Sequence, residues 1–220
     1  MPIVGYILTA AAAYLLGSIP TGFLVGKARG IDIRTVGSGN IGATNVFRAL
    51  GTPAGILVLL VDALKGWLAV AVVATLISQR FWPGAAALAQ EWFRVVAGVV
   101  AILGHNYTCW LWFKGGKGIA TSAGVLAALV PYPLLVILGV WIIVLALTRY
   151  VSLASICASL TLPFATWVLV NTTLLVVVTA AMAVLAVYKH KANIRRLLNG
   201  TESRIDFKKT PAAQASNQTS

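Results

Sequence analysis

Long apolar runs, separated by short polar stretches, set the pattern of this chain. A helix that crosses the hydrocarbon core of a membrane needs about 20 apolar residues. Three runs are near that length: 3–25, 53–77 and 95–112. A further stretch is apolar almost without interruption, and we divide it at its prolines and polar residues. This division predicts segments at 119–130, 133–148, 151–170 and 172–188. The pattern therefore predicts an all-α polytopic membrane protein.

The positions of the basic residues predict how these segments are oriented. Cytoplasmic loops of membrane proteins are enriched in Lys and Arg. If the N-terminus lies outside, seven crossings leave only Arg80 and Arg94 of the 17 Lys and Arg residues outside. Five crossings satisfy the rule too, if 119–148 is one long helix and one later segment does not span. We expect a seven-helix bundle with a cytoplasmic C-terminus, in which the segment 119–130 is short or re-entrant.

The composition agrees with a membrane protein and argues against other classes. Of the 220 residues, 59% are hydrophobic and 10% are charged, whereas about 25% are charged in soluble domains. The net charge of +12 follows from basic cytoplasmic loops, and no basic soluble domain is present to bind nucleic acid. Cys109 and Cys157 form neither a disulfide framework nor a metal motif. We expect one membrane domain at 1–202 and a polar, disordered tail at 203–220.

Three polar islands fall on the predicted cytoplasmic face. The first is the uncharged stretch 37–45, in which glycines allow backbone N–H groups to turn toward one point and cradle an anion. Residues 43–50 are predicted to form a short helix whose N-terminus adds partial positive charge to that site. A tight structural turn is the alternative. The match of Gly37, Gly39 and Gly42 to the dinucleotide-binding fingerprint is misleading, because that motif needs a strand before it.

The second and third islands combine cations with small or amide residues. Lys114 and Lys117 lie among Gly115, Gly116 and Gly118, but Gly118 stands where a Walker A loop needs Ser or Thr. The lysines and glycines still suit an anion. The third island begins at His190 and continues through Asn193, Arg195 and Arg196 to Glu202. A basic helix at the membrane surface explains the cations of this island but not its Asn and Glu.

Two charged residues and one histidine lie inside the apolar runs themselves. An intramembrane charge costs at least about 2.5–3.5 kcal/mol, so Asp62 and Lys65, three residues apart on one helix, are expected to pair. This pair either braces the helix or belongs to an ion pathway. His105 is either a hydrogen-bonded structural residue or part of the site.

The islands indicate a site that holds phosphates rather than one that performs metal or covalent catalysis. The sequence contains no cluster of metal ligands, no pair of carboxylates and no Gly-x-Ser-x-Gly elbow, so we expect neither a metal nor a cofactor. A phosphorylated, lipid-forming substrate at the cytoplasmic interface fits best. The rival is a small membrane transporter of a phosphorylated solute, although transporters usually bind near the bilayer midplane between repeats.

Taken in order, the islands resemble the signature motifs of the bacterial acyl-phosphate:glycerol-3-phosphate acyltransferases, the PlsY family. The matching residues are the nine at 37–45, Gly104-His105 with 113–121, and the third island from His190 to Glu202. Asp62-x-x-Lys65-Gly66 is similar to the second helix of that family. The resemblance covers nearly the whole chain as far as Glu202.

The resemblance implies a seven-helix enzyme of the bacterial cytoplasmic membrane, with its site open to the cytoplasm. It implies transfer of a fatty acyl group from acyl-phosphate to the 1-hydroxyl of glycerol 3-phosphate. The products are lysophosphatidic acid and phosphate, in the first step of phospholipid synthesis. Membrane lipids and the soluble enzyme that makes acyl-phosphate are the implied partners. The His-x-x-x-x-Asp motif of thioester-using acyltransferases is absent, because Trp110 and Arg195 follow the histidines at that spacing.

Roles for the site residues follow from the resemblance together with their chemistry. The phosphate of acyl-phosphate and the developing oxyanion are assigned to the loop 37–45, through Ser38, Asn40, Thr44 and the backbone around Gly37, Gly39, Gly42 and Asn45. Glycerol 3-phosphate is assigned to Arg48, Lys117, His190 and Asn193. Lys114 and the glycines 115–118 shape that pocket, and Ser152 is a further candidate contact. Either His105 or a substrate phosphate takes the hydroxyl proton.

Overall fold

The structure, a computed structural model, describes residues 2–205 of the chain. Within this range the chain is helical and contains no β-strand. The α-helices are α1 (Pro2–Ser18), α2 (Thr21–Ala28), α3 (Ala43–Leu50), α4 (Thr52–Leu68), α5 (Ala74–Phe81), α6 (Ala87–Asn106), α7 (Ile119–Leu129), α8 (Pro131–Thr148), α9 (Val151–Leu169), α10 (Thr173–Lys189) and α11 (Lys191–Leu198). A π-helical turn at Ala69–Val73 joins α4 to α5. The predicted all-α class is confirmed.

Several of these helices are long and apolar enough to cross a membrane. Among residues 2–205 they are Ile3–Ala28, Thr52–Phe81, Ala87–Leu111, Pro131–Thr148 and Val151–Leu169. A sixth span exists if α10 and α11, which meet at a bend of 57°, count as one. α7 has 11 residues, so it is about 16 Å long, half of a hydrocarbon core of about 30 Å. The short segment is confirmed, and seven crossings remain a prediction.

The described residues divide into two compact units, at 2–129 and at 130–205. The first unit holds α1 to α7, and the second holds α8 to α11. The single domain expected over 1–202 remains a prediction. Both units expose large apolar side chains, such as Leu60 in α4 and Leu147 in α8. Such surfaces suit contact with lipid.

In the first unit, small residues let α1 and α6 pack with their backbones in close contact. A Cβ on Gly17 would collide with the backbone of Ala101, and one on Gly104 would lie 3.0 Å from the amide nitrogen of Ser18. The Tyr14 hydroxyl donates a 2.7 Å hydrogen bond to the Tyr107 carbonyl across the same contact. Close approach through glycine is a common way for helices to associate in membranes, where apolar burial supplies little driving force.

This packing predicts that alanine at position 104 lowers stability. The added methyl group must separate α1 from α6, and overpacking of this kind costs about 1–3 kcal/mol. Gly139 in α8 is the matched control, because a Cβ there meets no atom within 4 Å. Gly139→Ala should leave stability unchanged or raise it by about 0.5–1 kcal/mol. Thermal unfolding in detergent compares the two variants, and equal midpoints would contradict this description of the contact.

The short helix α7 ends against α6 in the first unit. The Arg94 guanidinium donates from Nη2 to the carbonyl of Ala128, in the last turn of α7. The last carbonyls of a helix have no donor within the helix, and the hydrocarbon core of a membrane offers none. Arg94 therefore supplies a donor to one of these carbonyls. The pattern of apolar runs predicted that Arg94 lies just before the run 95–112, outside the membrane. Instead α6 begins at Ala87, and Arg94 is half-buried within it.

In the second unit, the helix breaks occur where the polar residues predicted them. α8 ends before Arg149, which has a left-handed φ of 61°, and α9 ends before Asn171, with a φ of 53°. The chain after α11 returns to the first of these breaks, because the amide of Ile205 donates a 2.8 Å hydrogen bond to the Arg149 carbonyl. Residues 203–205, the first three of the tail expected at 203–220, are thus connected to the second unit by this hydrogen bond. The rest of the tail, 206–220, lies outside the described residues, and its disorder remains a prediction.

Candidate active site

The loop of the first island is held from within by the amide of Asn45. Its Oδ1 accepts a 2.9 Å hydrogen bond from the amide of Ser38, and its Nδ2 donates to the carbonyls of Ile33 (3.1 Å) and Val36 (3.0 Å). Asn45 is buried, whereas Ser38 is exposed. Gly37 and Gly39 have φ of 58° and 68°, values that favour glycine. These contacts show that the Asn45 side chain shapes the loop, and the assignment of this position to substrate remains a prediction.

The loop leads directly into the short helix that the sequence predicted at 43–50. Gly42 precedes the first turn of α3, and its amide donates a 2.8 Å hydrogen bond to the Asn40 side chain. Asn40 therefore fixes the turn that enters α3. Thr44 and Arg48 lie four residues apart in this helix, which places them on one face, and both are half-buried. The predicted helix is confirmed.

An exposed ion pair supports the loop from its N-terminal side. The guanidinium of Arg34 donates to Asp32 Oδ2 at 2.7 Å, and its Cζ lies 4.8 Å from the centre of the Phe23 ring. The hydrogen bonds from Arg34 lower the pKa of the Asp32 carboxyl below its ordinary value. Asp32 was not among the residues predicted for the site. The pattern that could have indicated it is a carboxylate two residues before an arginine in an otherwise basic loop.

The second island packs directly on the end of α6. The amides of Gly115 and Gly116 donate to the carbonyls of Asn106 (3.2 Å) and His105 (3.0 Å). A Cβ on Gly116 would collide with the imidazole ring of His105. Close packing therefore explains these glycines, which were first assigned to a phosphate pocket. The packing leaves Lys114 exposed and Lys117 half-buried.

The first island packs near the chain that leads into the second. Ile41 from the first loop and Val46 from α3 pack in the same hydrophobic cluster as Leu111, three residues before Lys114. A shared site for the two islands remains a prediction.

A buried polar network lies inside the same unit. Lys65 Nζ is 2.8 Å from Asp62 Oδ1, so the predicted ion pair is confirmed. Lys65 Nζ also donates to the Ile19 carbonyl at 2.8 Å and lies 3.0 Å from His105 Nδ1. The Thr21 hydroxyl donates to Asp62 at 2.9 Å. The pair therefore joins α4 to the break between α1 and α2 and to α6. Sequence reasoning treated His105 separately and did not connect it to this pair.

The third island is organised around the carboxylate of Glu202 in the second unit. Ser152 Oγ (2.7 Å) and Asn193 Nδ2 (2.6 Å) donate to its Oε1, and Arg196 Nε donates to its Oε2 at 2.6 Å. His190 donates from Nδ1 to the Ala186 carbonyl at 2.8 Å. Ser152 was assigned to substrate, but its hydroxyl holds Glu202. Glu202 in turn orients Asn193.

The environment of Glu202 makes part of the stability dependent on pH. Burial in itself raises the pKa of this carboxyl, but hydrogen bonds from Ser152, Asn193 and Arg196 outweigh it, so the pKa lies below its ordinary value of 4.5. A lowered pKa in the folded state stabilises the protein above the unfolded-state value. This contribution is complete above about pH 4.5 and is lost as the pH falls through the folded-state pKa.

Glu202→Gln should therefore destabilise the protein at neutral pH. The glutamine side chain keeps the shape but turns an N–H donor toward Arg196, and the loss of hydrogen bonds to a charged acceptor costs about 1.5–3 kcal/mol. The difference from wild type should shrink below pH 4.5. Thermal unfolding at neutral pH and below pH 4.5 measures this difference in stability. The control is Glu91→Gln, at a half-exposed position in α6. Equal stability of wild type and Glu202→Gln at neutral pH would contradict this role.

The site residues thus fall into two groups. The first unit carries the loop 37–45, Arg48, His105 and 114–118, and the second carries Ser152, His190 and Asn193. A single site formed by both groups remains a prediction. Within residues 2–205, no three His, Cys, Asp or Glu side chains are placed to hold a metal ion.

Comparison with known proteins identifies the family. Residues 7–200 match the family model described as glycerol-3-phosphate acyltransferase. The glycerol-3-phosphate acyltransferase of Geotalea daltonii is 47% identical over 197 residues, covering 90% of this chain and 96% of that protein. The one of Geobacter sulfurreducens is 46% identical over 199 residues, covering 90% and 97%.

Two crystal structures have the same fold. Both are of PlsY (YgiH), described as an integral membrane glycerol 3-phosphate acyltransferase. The glycerol 3-phosphate form is 39% identical with a TM-score of 0.80, and covers 91% of this chain and 96% of its own. The lysophosphatidic acid form is 37% identical with a TM-score of 0.78, and covers 92% and 96%. The chain therefore belongs to the glycerol-3-phosphate acyltransferase family and is an integral membrane acyltransferase.

Proposed function

We propose that this protein transfers a fatty acyl group from acyl-phosphate to the 1-hydroxyl of glycerol 3-phosphate. The hydroxyl oxygen forms a bond to the acyl carbon, and the bond from that carbon to the phosphate oxygen breaks. The hydroxyl proton leaves with a base, and the products are lysophosphatidic acid and phosphate. The observation that carries the proposal is the similarity over 91% and 92% of the chain to PlsY in its glycerol 3-phosphate and lysophosphatidic acid forms.

The chemistry of the first island supports acyl-phosphate as the donor. Acyl-phosphate is a mixed anhydride with a good leaving group, so the enzyme needs mainly to orient the reactants and stabilise charge. In the proposed site, Ser38, Thr44 and the backbone of the loop bind the donor phosphate and the developing oxyanion. Asn40 and Asn45 keep that loop in shape through their hydrogen bonds to Gly42 and Ser38.

Glycerol 3-phosphate is assigned to a cationic subsite. Arg48 and Lys117 supply charge, and Asn193 supplies an amide donor. His190 donates to the phosphate from Nε2 only as the imidazolium, because its Nδ1 hydrogen is held by the Ala186 carbonyl. That all four residues meet at one substrate stays a prediction. Lys114 adds charge at the exposed edge of the second island. Ser152 acts through Glu202, which holds Asn193. We place this site at the cytoplasmic face of the bacterial inner membrane, where the soluble enzyme that makes acyl-phosphate delivers the donor.

The alternative of a solute transporter drew on the intramembrane pair Asp62–Lys65 and on the short segment 119–130. In the structure the pair bonds to Ile19, Thr21 and His105, as a bracing element does. The short helix α7 remains compatible with either function.

One assay separates the two functions. Purified protein in detergent is mixed with palmitoyl-phosphate and glycerol 3-phosphate, and released phosphate is measured. Release that requires both substrates is the expected result. No release, together with flux of glycerol 3-phosphate into liposomes that contain the protein, would contradict the proposal and favour transport.

A further inference from the structure

The ammonium group of Lys65 has three acceptors around it. They are the Ile19 carbonyl at 2.8 Å, Asp62 Oδ1 at 2.8 Å and His105 Nδ1 at 3.0 Å. Lys65, Asp62 and His105 are all buried, with side-chain exposures of 3%, 2% and 5%. A lysine ammonium carries three N–H donors and accepts no hydrogen bond. Each donor therefore has one acceptor, and His105 Nδ1 is one of them.

The opposite arrangement of protons fits the distances less well. It would have a neutral Lys65 that accepts from a protonated His105. The cation would then lie 3.7 Å from Asp62 Oδ1 instead of 2.8 Å, and the attraction between opposite charges weakens with distance. Lysine is also ordinarily a much stronger base than imidazole. The proton therefore stays on Lys65.

We propose that Lys65 fixes His105 as the neutral ring with its proton on Nε2, which makes His105 a positioning residue for the segment 114–118. In a neutral imidazole one nitrogen donates and the other accepts. Nδ1 accepts a hydrogen bond from Lys65, so the hydrogen of the neutral ring is on Nε2. Neither nitrogen then has a lone pair open to the hydroxyl proton of the substrate. His105 is then not the base for the hydroxyl of glycerol 3-phosphate, a conclusion that rests on the proposed function.

The contacts of His105 show what it positions. Its carbonyl accepts from the amide of Gly116, and its ring lies so close to Gly116 that a Cβ there would be 3.0 Å from both Cδ2 and Cε1. The ring is held on one side by Lys65 and covered on the other by Gly116. Lys117 is the next residue. The buried pair in α4 thus acts through His105 on the loop that carries a proposed phosphate ligand.

The protonation of the ring can be measured directly. The chain has two histidines, so the full-length protein with ¹³C,¹⁵N-labelled histidine in lipid nanodiscs gives two sets of imidazole signals, and His190→Gln assigns them. We expect His105 to show a protonated Nε2 and an unprotonated Nδ1 at neutral pH. His190 is the internal control with protonated Nδ1, since that atom donates to the Ala186 carbonyl. A proton on His105 Nδ1, in a neutral ring or an imidazolium, would overturn the proposal.

Two variants test the positioning role. Gly116→Ala should shift the His105 nitrogen signals, whereas Gly139→Ala should leave them in place. If the signals were unchanged in both variants, the proposed contact between the His105 ring and the segment 114–118 would be contradicted.

His105→Asn retains an acceptor for Lys65. It should raise KM for glycerol 3-phosphate and lower kcat less than about 10-fold, whereas loss of a general base costs about 10²–10⁴-fold. The spectrum of the wild type does not depend on turnover, so failure of the proposed function would be seen separately.

Discussion

Replacing Lys117 by alanine is expected to raise KM for glycerol 3-phosphate by about 10- to 100-fold, because a hydrogen bond to a charged group contributes about 1.5–3 kcal/mol. KM for acyl-phosphate should change much less, since the donor is assigned to the loop 37–45. Arg48→Ala should have the same selective effect. Initial rates measured against each substrate in turn give both constants.

The control for this prediction is another cation on the same predicted membrane face. Arg29 is exposed just after α2, and Arg29→Ala removes a positive charge without touching the proposed subsite. It should leave both KM values near those of wild type. If Lys117→Ala and Arg48→Ala also left the apparent affinity for glycerol 3-phosphate unchanged, the assignment of the cationic subsite would be wrong.

The largest effect on stability is expected from Lys65→Met. The substitution leaves the Asp62 carboxylate buried without its cation, and breaking a buried pair in this way costs about 3–5 kcal/mol. Thermal unfolding in detergent should therefore show a much lower midpoint. The Thr21 hydroxyl still donates to Asp62 but carries no charge to balance it.

The matched variant is Asp62→Asn combined with Lys65→Met, which removes both charges. It should be clearly more stable than Lys65→Met alone, because no uncompensated charge remains in the interior. If the double variant were no more stable than the single one, the pair would not be the brace that we describe.

Local features of the structure could be read from the sequence because each has a local cause. Gly51 separates α3 from α4, Pro53 lies in the first turn of α4, and polar residues at 149 and 171 separate the later helices. The shortness of α7 also follows from the run of apolar residues between Gly118 and Pro131. These signals lie within a few residues of the feature they determine.

The contacts that shape the site could not be predicted in the same way. Lys65 and His105 are 40 residues apart, and Ser152 and Glu202 are 50 apart. No local pattern indicates that either pair meets. Asn45 and Ser152 were therefore assigned to substrate and Glu202 was given no role, although the side chains of all three hold other parts of the site. The reason for glycine at position 116 could not be predicted either, because it is the ring of His105, 11 residues earlier, that leaves no room for a Cβ there.

The most direct test of the account is the choice of acyl donor. Purified protein with glycerol 3-phosphate is given palmitoyl-phosphate or palmitoyl-coenzyme A, and lysophosphatidic acid is measured by mass spectrometry together with free phosphate. We predict equal amounts of lysophosphatidic acid and phosphate from palmitoyl-phosphate, and no product from the thioester. Product from the thioester but not from palmitoyl-phosphate would contradict the account.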